Sequence, residues 1–130
     1  MEETRVVTES EWKILQQLWQ HEPLTIMQLT HALEQETGWS KHTIISFLNR
    51  MDEKDYVFYQ DSGKARQYYS LIDYQTALEQ EIGALRRKTA LHTPVKTLAL
   101  ILQSYRLSAK DCQALIQVLE EMQKLEKKQT

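Results

Sequence analysis

Apolar residues recur every three or four positions along most of this chain, and that spacing predicts helices. Trp12, Leu15, Leu18 and Trp19 line one face of a helix over 8–21. Thr8 and Glu11 form a capping box at its start, in which the hydroxyl accepts a backbone N–H and the carboxylate reaches back. Pro23 stops this helix. Thr25 with Gln28 opens a second one, whose apolar side is Met27, Leu29, Ala32 and Leu33, and Gly38 fits its C-terminal stop. Ser40 is a good N-cap for a third helix running to about Lys54. Its pattern is lopsided: Ile44, Phe47, Leu48 and Met51 share one face, while Lys41, His42, Thr43, Ser46, Asn49 and Arg50 share the other.

The period then changes. Tyr56-Val57-Phe58-Tyr59-Gln60 is aromatic and β-branched, Asp61-Ser62-Gly63-Lys64 is a turn, and Ala65-Arg66-Gln67-Tyr68-Tyr69-Ser70 returns as a second strand. Helical spacing resumes over 73–91 with Ala77, Leu78, Ile82, Leu85 and Leu91. Pro94 separates it from a short apolar helix over 95–105. Ser108 caps a last helix, in which Cys112, Leu115, Leu119 and Met122 form a narrow coiled-coil-like seam before a polar end expected to fray over 124–130. The expected fold is mainly α with a small β-hairpin wing: a winged helix-turn-helix head over 1–71 and a helical dimerisation arm over 72–130.

Composition supports helices, since 3 Gly and 2 Pro leave too few turns for sandwiches or doubly wound sheets. With one cysteine there is no intramolecular disulfide, and Cys112 on the seam is expected to be a buried, inert thiol. His21, His31, His42 and His92 have no ligand spacing, so neither metal nor cofactor is expected. The longest apolar run, Leu98–Leu102, is far short of a membrane span, and the acidic start Met1-Glu2-Glu3 does not resemble a signal peptide; a cytoplasmic address is expected. No nucleophile motif, phosphate loop or carboxylate pair points to an enzyme.

Charge complicates the picture. Residues 1–70 hold 7 Lys/Arg against 11 Asp/Glu, a net of −4, and 71–130 hold the remaining 9 against 7, a net of +2. A head that binds DNA must therefore do so through local basic points on an acidic body. Three helices and a hairpin supply such points. In a winged helix-turn-helix the third helix enters the major groove and the wing touches the backbone. Ser40 and the free N–H groups behind it could meet a phosphate, Thr43 and Ser46 are short enough to approach base edges, and Arg50, Lys64 and Arg66 fit backbone contacts. An alternative fits the acidic head: a winged-helix adaptor that binds protein and no DNA.

The arm carries too much apolar surface for its length. Leu98, Ile101, Leu102, Leu115, Leu119 and Met122 predict packing against a second copy, which would set two recognition helices on a palindromic operator. Folding back on the head is the alternative.

The set Thr8-Glu9-Ser10-Glu11-Trp12 with Leu18-Trp19, Trp39-Ser40 with Thr43-Ile44, Leu48 with Arg50, Gly63-Lys64 with Tyr68, and Leu107-Ser108 with Leu119-Glu120-Glu121 resembles the BlaI/MecI penicillinase-repressor family over nearly the whole chain. The resemblance implies a dimeric repressor of double-stranded DNA, with contacts at His42, Thr43, Ser46 and Arg50 and around Lys64 and Arg66 on the wing. It also implies release by an upstream signal, through a membrane sensor protease acting indirectly in antibiotic-resistance relatives. Departures are visible. His42 stands where relatives often carry Lys, and Asp52, Glu53 and Asp55 occupy a stretch that is usually basic. Leu85-Arg86-Arg87-Lys88 lacks the Asn-Phe cleavage sequence, and the chain shows no cysteine-rich copper-sensing tail.

Overall fold

A computed structural model describes residues 6–129; the acidic start Met1–Glu3 lies outside them. The elements run α1 (Glu9–His21), α2 (Ile26–Thr37), α3 (Lys41–Glu53), β1 (Val57–Asp61), β2 (Arg66–Ser70), α4 (Tyr74–Lys88), α5 (Pro94–Ser104) and α6 (Ala109–Gln129). The first five elements are a winged helix.

Each helix of the head begins where its cap dictates. Thr8 Oγ1 accepts from Glu11 N–H while Glu11 Oε1 accepts from Thr8 N–H, and Thr25 and Gln28 repeat the arrangement at α2. Gly38 ends α2 at φ 67°, a left-handed position that a side chain would strain. Ser40 Oγ then accepts from Thr43 N–H to open α3. Ile14, Leu15 and Leu18 of α1, Leu29 and Leu33 of α2, and Ile44, Leu48 and Met51 of α3 are fully buried together with Val57. Met27 and Ala32 are exposed, against expectation, because the buried line of α2 steps through Ile26, Leu29 and Leu33 and leaves them to either side.

The hairpin is antiparallel in the register Val57↔Ser70 to Asp61↔Arg66. Phe58 stacks on Tyr69 at 5.0 Å and Tyr59 tilts against Tyr68 at 5.5 Å, so the cross-strand pairs are aromatic along two consecutive rungs. Leu24, in the link between α1 and α2, exchanges both backbone hydrogen bonds with Tyr68 and extends the hairpin by one rung. Glu22 Oε1 fastens the same link by accepting from Ser70 N–H and Oγ–H.

The chain gathers into two compact units that divide between Arg86 and Arg87. The first runs past the 71/72 junction because α4 is tied to α1. Trp12, Trp19 and Tyr74 meet edge-to-face at 5.5–6.0 Å, Trp19 Nε1–H donates to the Ile72 carbonyl, and Trp12 Nε1–H donates to Glu81. Both tryptophans are packing anchors.

α4 ends at Lys88 rather than at Leu91. Pro94 sits in the first turn of α5 behind an extended Thr93 cap, so the chain must leave helix beforehand; a turn closed by His92 N–H on the Thr89 carbonyl does this, and Leu91 stands exposed. In the second unit α5 and α6 bury no residue at all. Ser108 and Asp111 make a capping box for α6, which stays helical through Gln129 instead of fraying from Lys124. Cys112 is exposed, not buried, because α6 leaves its apolar stripe uncovered. No helix among the described residues is long and apolar enough to cross a membrane.

Candidate nucleic-acid interface

α3 is held from below and open above. With Ile44, Leu48 and Met51 fully buried, helical geometry turns His42, Ser46, Asn49 and Glu53 outward as one line, and all four are exposed. Lys41 and Arg50 are exposed on either side of that line, and Thr43 is half-buried at its edge. Asn49 lies in the middle of the outward line between Ser46 and Glu53; its amide is a donor and acceptor suited to an adenine edge. The helical spacing that put it on the polar face already carried that signal.

The side chains of this face are partly committed. Ser40 Oγ lies 3.2 Å from Thr43 Oγ1 as well as capping Thr43 N–H, so both hydroxyls are already engaged at the helix start. Trp39 rests against Phe47 at 4.8 Å, and the Arg50 guanidinium lies over the same ring, 5.2 Å from its centroid. Arg50 is thereby held along the helix with its head in solvent. On the wing, Ser62 N–H and Oγ–H both bond the Ala65 carbonyl, with Gly63 at φ 93° inside the turn, and Lys64 in that turn is exposed. Arg66 packs 4.1 Å over the Tyr59 ring. A hydrogen bond with Tyr68, with help from the neighbouring Tyr59, raises its pKa further, so it is a permanent cation.

Two cations on α3 and two on the wing thus belong to one compact unit, and both arginines are pre-set against aromatic rings. Carboxylates sit close by in sequence and are exposed: Asp52, Glu53, Asp55 and Asp61. Asp55 takes φ 62° in the turn from α3 to β1, a conformation Asp tolerates better than most residues. Lys54, which sequence alone leaves unassigned, is not one of the free cations: its Nζ is 2.8 Å from Glu11 Oε2. Among the described residues no group of His, Cys, Asp and Glu is placed to hold a metal ion.

Such a face, short polar groups flanked by exposed cations, can approach a polyanion and offer hydrogen bonds to it. Comparison with known proteins agrees in fold. Residues 7–121 match the family described as Penicillinase repressor. An uncharacterised 16.5 kDa protein encoded in the ptsI 3′ region of Latilactobacillus sakei is 24% identical over 118 residues, covering 91% of this chain and 81% of that protein. The solution structure of the DNA-binding domain of the repressor BlaI superposes with a TM-score of 0.50 at 21% identity, over 54% of this chain and 85% of that one. Staphylococcus aureus MarR, solved with salicylate and kanamycin, gives 0.50 at 15% identity over 98% of this chain and 79% of its own.

Proposed function

The chain belongs to the penicillinase repressor family, and we propose from that premise that it is a homodimeric DNA-binding transcriptional repressor. α3 enters the major groove of a palindromic operator and the wing lies on the backbone. Thr43 and Ser46 read base edges, joined by His42 and Asn49, while Ser40, Lys41, Arg50, Lys64 and Arg66 hold phosphates. Residues 1–71 carry the DNA contact and 72–130 the pairing, with α4 serving both. Release from DNA answers an upstream signal, and a membrane protease gene beside this one would identify that signal as an antibiotic.

The observation that carries the proposal is the open polar face of α3 above three fully buried apolar residues. Pairing is supported by the arm. Leu98, Leu102, Leu119 and Met122 are exposed and Ile101 and Leu115 only half-buried, so α5 and α6 have no core of their own. A second copy of the same segment supplies one with two-fold symmetry.

A gel shift on the gene's own upstream region at two salt concentrations tests this. A defined shifted species that weakens steeply with salt is expected. The acidic head favours the adaptor as second reading, and the absence of a shifted species at either salt would replace the repressor with it.

A further inference from the structure

Glu11 is the one charged side chain buried among the described residues, at 3% exposure. Its Oε1 accepts from Thr8 N–H at 2.9 Å, and its Oε2 takes the Lys54 ammonium at 2.8 Å. A carboxylate withdrawn from water needs such a partner, since removing the cation leaves an uncompensated buried charge. Lys54 follows α3 directly: its own N–H returns to the carbonyls of Arg50 and Asp52, and its ammonium also lies 5.6 Å from the Tyr56 ring. The C-terminal end of α3 is therefore pinned to the first turn of α1 by an ion pair, one turn beyond Arg50. At the other end α3 is held by the Ser40 cap, the buried Ile44 side chain and the Trp39–Phe47 contact.

We propose that the Glu11–Lys54 pair is a positioning clamp: it fixes the pose in which α3 reads bases and withholds Lys54 from the phosphates. Lys54 directly follows the helix whose polar face is offered to DNA. Its geometry assigns it inward. The inference rests on the DNA-binding reading above, and it predicts the same loss of discrimination but different salt responses when the pair is broken from either side. Removing the ammonium loosens the end of α3 without subtracting a phosphate contact. Removing the carboxylate's charge loosens it equally and frees an ammonium at the edge of the interface.

The test measures binding by anisotropy on the upstream fragment and on single-base variants of it, across a salt series, with hydrogen exchange of the last turn of α3 in the free protein. Lys54→Met is expected to keep the wild-type salt slope, to lose about tenfold in discrimination between fragment and variants, and to exchange faster at 51–54. Lys54→Arg restores both. Glu11→Gln, which keeps a capping-box residue, is expected to lose discrimination similarly while its slope steepens by about 0.9, one added phosphate contact. Arg50→Ala is the reference for a lost contact, with a slope shallower by about the same amount. A shallower slope in Lys54→Met, or unchanged discrimination in either folded variant, overturns the clamp. Should Lys54→Met fail to fold, Glu11→Gln decides alone. A wild-type protein without salt-dependent binding removes the DNA reading instead, and unchanged exchange at 51–54 in both variants removes the clamp itself.

Discussion

Head and arm are written in the same idiom, amphipathic helices with capped starts, yet only one of them is finished within a single chain. Leu29, Leu33, Ile44 and Leu48 vanish into a shared interior, whereas Leu98, Leu102, Leu119 and Met122 stay in water. The difference is geometric. Three head helices and the hairpin bury their apolar side chains in one shared cluster. Two arm helices offer stripes and have too few elements to enclose them. Apolar content alone does not make a core; the number of faces that can close on one another does.

Three changes break or sharpen that contrast. The largest effect is expected from Leu119→Asp, which places a carboxylate on the unfinished stripe. Light scattering should then report monomers while the head keeps its cooperative unfolding, and a persistent dimer would move the pairing surface off α6. Next comes Leu48→Ala in the closed interior, which should cost about 3 kcal/mol of stability as a lower urea midpoint at unchanged slope. A loss well under ~1 kcal/mol would mean the head packs more loosely than its burial implies. The smallest effect is in the caps, where the two compact units are expected to agree. The Thr76 side chain and backbone N–H hold the Asp73 carboxyl below its ordinary value at the start of α4, and the Ser108 backbone N–H and hydroxyl do the same for Asp111 at α6. A carboxyl lowered on folding stabilises the helix fully above its unfolded value of about 4 and loses that contribution as pH falls through the lower folded value. Circular dichroism between pH 5 and 2 should show Asp73→Asn and Asp111→Asn each flattening part of the acid loss of helix; an unaltered acid profile in both would remove the caps from the account.

Much of the head was legible because its signals are local. A capping hydroxyl, the left-handed glycine and the switch from helical to alternating spacing each act within a few residues, so α1 to α3 and the hairpin fall where the pattern puts them. What escaped is what pairs across distance. Leu24 joins the sheet by one rung only, too short for any alternation to announce it. Glu11 advertises a capping box, and nothing in the chain marks Lys54 as its partner 43 positions on. Met27 and Ala32 fit a helical stripe as well as Ile26 does, and only the packing of α2 against the rest of the head decides which of them is covered. On the interface, spacing separated polar from apolar positions, but it did not reveal that Ser40 and Thr43 spend their hydroxyls on each other or that Arg50 leans on Phe47.

The three indoles are distributed in a way that gives the molecule a built-in optical gauge. Trp12 and Trp19 watch the joint between α1 and α4, with Tyr74 close enough to pass excitation to both, while Trp39 rests on Phe47 beside α3. Emission from the α1–α4 joint and emission from the flank of α3 can therefore be separated by replacing one residue, so a label-free spectrum reports change beside α3 apart from change at that joint.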